Sequence, residues 1–327
     1  MGPMSGPDGA WGRAARSVQY RTSSYDHLPM APHSDKTVFS PQLSGQTFEV
    51  DSAAGPLAVH TAGQEGLPLL LLHSVNAAAS AAEVRPLHEH YAAGRAVFSM
   101  DLPGFGGSAR KPMLYTPRVM TDALHQVVQA IRSRCQGAPV DALALSLSCE
   151  FLARAASERP QDYRSLAFVS PTGLSGRTQR REPSGSTAVL PWLHRALSAW
   201  GPGLYRALTR PGVIRFFLRK TWGGSQIDAL MFEEAVRVAR TPGAEHAPLS
   251  FLSGALFSRD ILSVYESLSQ PVWMCHGVRG DFTDYRQKSL LQALGNWKVQ
   301  VFPTGALPHF EVLPDFCSAW DAHMAKT

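Results

Sequence analysis

Val140-Asp141-Ala142-Leu143-Ala144-Leu145-Ser146-Leu147-Ser148 runs without an intervening loop into Cys149-Glu150-Phe151-Leu152-Ala153-Arg154-Ala155-Ala156. The first half is a short apolar run of strand length and the second has helical periodicity, so the chain turns from strand to helix at Ser146. Ala144 and Ser148, two positions to either side, are small. A turn this tight brings the −2 and +2 side chains against neighbouring backbone, so only small residues fit there, while the central hydroxyl is lifted clear. Ser146 therefore reads as the exposed serine of a nucleophile elbow. A buried strand followed by an ordinary helix-capping serine gives a similar pattern, and the rest of the chain has to decide between them.

Composition narrows the class. With 327 residues, 44% hydrophobic and 17% charged, the chain can bury one large core or two smaller ones. No run approaches the roughly 18 apolar residues of a membrane span, and the N-terminal arginines Arg13 and Arg16 have no apolar stretch behind them, which argues against a secretory signal. Cys135, Cys149, Cys275 and Cys317 are far apart with no C-x-x-C pair, which disfavours a metal site and fits a reduced, cytoplasmic setting. The net charge of +5 is concentrated: residues 171–245 hold eleven Lys and Arg against five Asp and Glu, a surplus of six. No nucleic-acid-reading motif accompanies it, so no nucleic-acid partner is expected.

Residues 1–38 mix Gly, Pro, Ser and charges without periodicity and read as a flexible tail. Gln46–Val50 and Leu57–Thr61 read as a strand pair; residues 67–72 form an apolar run suited to a strand covered on both faces. That run ends in His73-Ser74-Val75-Asn76. Residues 96–100 form another buried strand, closed by Asp101-Leu102-Pro103-Gly104-Phe105-Gly106-Gly107-Ser108. Those glycines do not open a helix, so a dinucleotide loop is rejected. Strands and helices then alternate, which implies right-handed crossovers and a mostly parallel sheet.

The three segments after successive buried strands, His73-Ser74-Val75-Asn76, Asp101 to Ser108, and Ala144-Leu145-Ser146-Leu147-Ser148, together resemble the α/β-hydrolase superfamily. Order and spacing match over residues 45–170, with a shorter match from 271. The resemblance implies an α/β fold with about eight strands, mostly parallel and covered by helices on both faces, the first pairing antiparallel, with a core of residues 39–170 and 271–327. It implies that the insert at 171–270, punctuated by Gly and Pro and with no strand pattern, is a helical cap. It also implies that the Val75 and Leu147 N–H groups form an oxyanion hole, with Ser74 and Asn76 toward the substrate. His73 reads as structural. Trp192, Trp200, Phe216, Phe217, Trp222 and Phe232 in the cap either pack it on the core or face a lipid or apolar substrate.

The acid and base are displaced from the usual pattern. After Pro271 to Cys275 comes His276-Gly277-Val278-Arg279-Gly280-Asp281, and family members place the acid three residues past the first glycine, where this chain has Gly280. Asp281 is the expected acid, with Asp284 in reserve. After the last strand the chain reads Gly305-Ala306-Leu307-Pro308-His309, where relatives commonly have Gly-His-x-Pro. The family's histidine position is therefore Ala306, and His309, at the start of the final helix behind Pro308, is the expected base.

The expected function is a serine hydrolase acting on an ester, thioester, amide or carbon–carbon bond beside a carbonyl in a small, mostly apolar substrate, with no cofactor or metal. An acyltransferase would use the same triad. A carboxylate-nucleophile dehalogenase is disfavoured because the elbow carries serine. Ala306 motivates a different reading, a non-catalytic binding or scaffolding protein of the same fold. The basic cap predicts a weak contact with an anionic membrane surface.

Overall fold

The computed structural model describes Gly2, residues 43–176 and residues 179–326. The tail assigned to residues 1–38 lies, Gly2 apart, outside the described residues. Eight strands, β1 (Gln46–Val50), β2 (Leu57–Ala62), β3 (Leu69–Leu72), β4 (Val97–Met100), β5 (Val140–Leu145), β6 (Tyr163–Val169), β7 (Val272–His276) and β8 (Trp297–Val301), form one sheet in the order β1-β2-β4-β3-β5-β6-β7-β8. β1 and β2 pair antiparallel, β2 runs antiparallel to β4, and the remaining pairings are parallel. The mostly parallel eight-stranded sheet expected from the sequence is therefore present.

β3 and β5 lie side by side in the middle of the sheet, with Leu72 opposite Ala144. All four β3 leucines and all six β5 residues are buried, because helices cover both faces. Burial of each leucine is worth about 2 kcal/mol relative to exposure. β3 begins only after Pro68, which has no N–H to offer a ladder, although the Pro68 carbonyl accepts the Asp141 N–H. Asp141, the one charge in β5, is fully buried and held by Arg95 and Arg164.

Helices α1 (Arg85–Tyr91), α2 (Pro117–Arg134) and α3 (Ser148–Glu158) follow β3, β4 and β5. α2 starts at Pro117, which occupies its first position, and the Thr116 hydroxyl caps it. Between β6 and β7 come α4 (Pro191–Leu208), α5 (Pro211–Trp222), α6 (Ala229–Val238), α7 (His246–Leu252) and α8 (Ile261–Glu266). The described residues 43–326 fall in one compact unit. α8 belongs to the core layer: Ile261, Leu262 and Tyr265 are fully buried, and the Tyr265 ring lies against Phe168 and Trp297.

Three further helices, α9 (Lys288–Gln292), α10 (Pro308–Glu311) and α11 (Leu313–Met324), complete the chain. His309 does not begin the final helix. It sits in the single turn α10, and Val312, with φ −136°, breaks the chain before α11. Among the described residues no helix is long and apolar enough to cross a membrane.

Candidate active site

Ser146 occupies the turn between β5 and α3 with φ +53°, in the left-handed region that a side-chain-bearing residue adopts at a cost of about 1–2 kcal/mol. The turn is held from both sides. The Ser146 N–H donates to the Val169 carbonyl of β6 at 2.8 Å, and its own carbonyl accepts the Cys149 N–H at 3.2 Å. Among the described residues its hydroxyl, half-buried, has no hydrogen-bond partner. The +2 residue Ser148 is more than a small spacer: its hydroxyl donates to the His73 carbonyl and ties the elbow to the loop after β3.

That loop is held by a network of hydrogen bonds. The His73 Nδ1–H donates to the Ser74 carbonyl at 2.6 Å and its Nε2 accepts the Leu102 N–H at 3.0 Å, so both ring nitrogens are spent and His73 is structural, as expected. The Asn76 side chain is tied into the loop, its Nδ2 group also donating to the Ser74 hydroxyl at 3.2 Å. The Ser74 N–H and the Asn76 Nδ2 group donate to the two carboxyl oxygens of Glu83 at 2.7 and 2.6 Å, and the Asn76 Oδ1 accepts the Ala78 N–H. With these bonds the Asn76 side chain is spent within the loop and shapes it, contrary to its expected place at the substrate, while the bond from the Ser74 N–H leaves its hydroxyl proton uncommitted among the described residues. Val75 and Leu147 remain, and among the described residues neither backbone N–H has an acceptor, which is what an oxyanion hole requires.

Glu83 was not singled out from sequence, yet it organises this loop from a position only 3% exposed. The available signal was its isolation, since it is the one acidic residue between Leu67 and Arg85. Behind it, Asp101 serves the neighbouring loop by accepting the Ala81 and Gly107 N–H groups and pairing with His60. Burial alone would raise the Asp101 pKa, but the hydrogen bond and charge of His60 and the Gly107 N–H outweigh it and bring it down to about 2.

The expected acid and base are not joined to this centre. His309 is fully buried beside Phe310 and Phe316, and its Nε2–H donates to the Glu83 carbonyl at 2.8 Å, while Nδ1 has no partner among the described residues. Burial, only partly offset by that hydrogen bond, pushes its pKa down to about 4. Asp281 is exposed and pairs with Lys220 at 2.7 Å. Asp284 is also exposed; the Arg286 guanidinium holds its carboxyl well below the usual range. In this geometry Ser146, His309 and Asp281 share no hydrogen bond. The physical reason is position: His309 lies a helical turn beyond the family's histidine site, and α10 carries its ring into the core.

The loops that carry Gly280 and Ala306 are covered by the last turn of α5. The Ala306 N–H donates to the Thr221 carbonyl at 2.9 Å, and the Ala306 carbonyl accepts the Ser170 hydroxyl at 2.8 Å. A Cβ on Gly305 would stand 2.4 Å from the Trp222 carbonyl oxygen, and one on Gly280, at φ +85°, 2.4 Å from the Lys220 carbonyl oxygen. The last turn of α5 thus rests backbone to backbone on the loops after β7 and β8. Gly280 and Gly305 are the residues this contact requires to be small, and Ala306 joins it through its backbone N–H.

A half-buried serine with φ +53° at the C-terminal end of a central parallel strand is a feature that fits the α/β-hydrolase class. The chain belongs to the alpha/beta hydrolase family, whose sequence model matches residues 69–317. Among curated proteins no sequence matches. Among solved structures, the chain is similar to a serine hydrolase involved in carbazole degradation (15% identity, TM-score 0.68, covering 86% of this chain and 99% of that one). It is similar also to an esterase from Exiguobacterium antarcticum (12%, TM-score 0.67, 85% and 99%) and to the epoxide hydrolase CorEH (17%, TM-score 0.66, 86% and 99%). At these identities the likeness concerns the fold, and one fold carries several chemistries.

Proposed function

We propose that Ser146 is the acyl-accepting residue of a hydrolase whose substrate is a small, mostly apolar molecule with a carbonyl beside an ester, thioester, amide or carbon–carbon bond, and that no histidine–carboxylate relay stands behind it. The observation that carries this reading is the strained Ser146 with the Val75 and Leu147 N–H groups unshared. Backbone strain of this kind persists only where the surroundings over-determine it, and it clusters at functional sites. Attack by the Ser146 oxygen would form a bond to the carbonyl carbon with the oxyanion held by the two N–H groups; collapse of that adduct would break the bond to the departing group, which leaves with the serine proton directly or through water, and a water molecule would then cleave the acyl–serine bond and return a proton to Ser146. A relay is worth about 10²–10⁴ in rate, so turnover is slow compared with that of a complete triad. The same centre could pass the acyl group to an acceptor other than water.

A second reading, ligand binding without turnover, is favoured by the α5 turn that occupies the space around Ala306 and Gly280. Fluorophosphonate labelling of the full chain, read by intact mass with Ser146→Ala as control, separates the two. Slow labelling at Ser146, rising with pH without an inflection near 6–7, is expected. No labelling at any pH between about 6 and 9 would leave only the binding reading. Fast labelling with a histidine-like inflection would show that a base does reach Ser146.

A further inference from the structure

The α4–α5 pair carries two apolar faces where one is enough for folding. Inward, Leu197, Tyr205, Ile214, Leu218 and Trp222 are buried. Outward, Trp200 is 82% exposed, Trp192 67%, and Phe216 and Phe217 53% each, joined by Leu204 at 40%. An outward face on a helix of a globular protein is ordinarily polar, so packing of the cap does not account for these side chains. The Phe216 and Phe217 rings touch each other, 5.4 Å between centroids, and are not drawn inward.

The same two helices are basic without exception. Neither contains an Asp or a Glu, while Arg195, Arg206, Arg215, Arg219 and Lys220 lie on them and Arg210 between them. Lys220 pairs with Asp281, and Arg215 lies over the Phe232 ring at 4.3 Å. Arg195, Arg206, Arg210 and Arg219 form no ion pair among the described residues. A cleft of about 610 Å³ opens between α4, the start of α5 and the segment after α6. Arg206, Arg210 and Arg240 line it, with Tyr205 and Thr241, against a single acid, Glu245.

Cations interleaved with exposed Trp, Phe and Leu on two consecutive helices match an anionic bilayer surface on both counts: the arginines meet headgroup phosphates and the aromatic and aliphatic side chains enter the acyl boundary. A nucleic acid would use the arginines but would leave Leu204 and the Phe pair in water. We propose that the outward face of α4 and α5 docks the protein on membranes containing anionic phospholipid, with a phosphate headgroup seated in the cleft between Arg206, Arg210 and Arg240. Such a contact would bring the cap, and the α5 turn that closes on Ala306, to the source of an apolar substrate. The docking itself stands independently of the chemistry assigned to Ser146.

Co-sedimentation of the full chain with vesicles of phosphatidylcholine containing about 30% phosphatidylglycerol tests this. Binding is expected at low ionic strength, weakened by raised salt and by pure phosphatidylcholine, and unchanged by Ser146→Ala. Removing one surface cation costs about fivefold in partitioning, so Arg206→Gln, Arg210→Gln and Arg240→Gln combined should weaken binding about 100-fold. Trp192→Ser with Trp200→Ser should weaken it separately, with the thermal transition retained because both side chains are exposed. Absence of binding at low salt, equal binding to neutral vesicles, or a triple variant that binds like the parent would overturn the proposal. Tight binding to duplex DNA that the arginine changes abolish and the tryptophan changes leave intact would overturn it in favour of a polyanion site.

Discussion

His309→Gln decides between a buried structural histidine and a displaced catalytic base. Its pKa lies near 4 in the folded protein against 6.5 for an unburied imidazole, because burial penalises the cation more than the Glu83 carbonyl favours it. Above about pH 6.5 the ring is neutral in both states, and its contribution to stability is fully present. As pH falls, the unfolded chain takes up a proton that the folded ring refuses until near pH 4, and stability is lost across that window. At 1.36 kcal/mol per unit, a gap of about 2.5 units amounts to about 3 kcal/mol, a large share of the 5–15 kcal/mol typical of a whole domain. Glutamine can keep the hydrogen bond to Glu83 and has no charge to acquire. The variant should therefore be less stable than the parent at pH 7.5, through lost ring packing, yet lose less between pH 7.5 and 4.5, so the two stability curves approach each other. Burial lowers His88, His276 and His323 as well, but they are common to both proteins and cancel in the difference. Urea unfolding followed by tryptophan fluorescence across this range gives both curves. Fluorophosphonate labelling of Ser146 in the same preparation should change by less than about threefold, whereas loss of a base would cost about 10²–10⁴. Parallel stability curves together with a collapse in labelling would refute the buried-histidine reading and restore His309 as base.

Three further outcomes follow from the same contacts. Gly280→Asp, which puts an acid where the family has one, should lower stability by about 3 kcal/mol in chemical denaturation and leave labelling no faster, because φ +85° and the Lys220 carbonyl oppose any side chain there. Ser146→Gly should abolish labelling and raise stability by about 0.5–1 kcal/mol, glycine relieving the left-handed strain at some cost in unfolded-chain entropy; a lower melting temperature would mean that the hydroxyl makes a stabilising contact. Glu150→Ala should cost about 3 kcal/mol in urea unfolding, since the buried carboxyl of α3 accepts the Thr172 hydroxyl and the Ser258 N–H and faces Arg180.

Much of the molecule is local information. The apolar runs, the small residues at 144 and 148 and the alternation of strand with helix specify a parallel sheet with a serine at its central turn, because strand burial and turn sterics depend on residues adjacent in sequence. Motif offsets were legible too: Gly280 and Ala306 stand out in the sequence as departures from the family pattern. What the departures mean was not legible. Whether His309 or Asp281 could replace the missing groups depends on where α10 turns a ring and on which side of a loop a carboxyl emerges. Those directions are set by contacts more than two hundred residues apart along the chain, such as His309 with Glu83, or by the docking of α5 onto Gly280, Gly305 and Ala306. Glu83 went unnoticed for the same reason, since an acidic residue in an alanine-rich stretch gains its role only when the β3 loop folds over it. The aromatics of α4 and α5 divide likewise: periodicity identifies amphipathic helices, but only packing buries Trp222 and leaves Trp200 in solvent. Sequence neighbours decide which element forms, and the long-range fit between elements decides which of their side chains can meet.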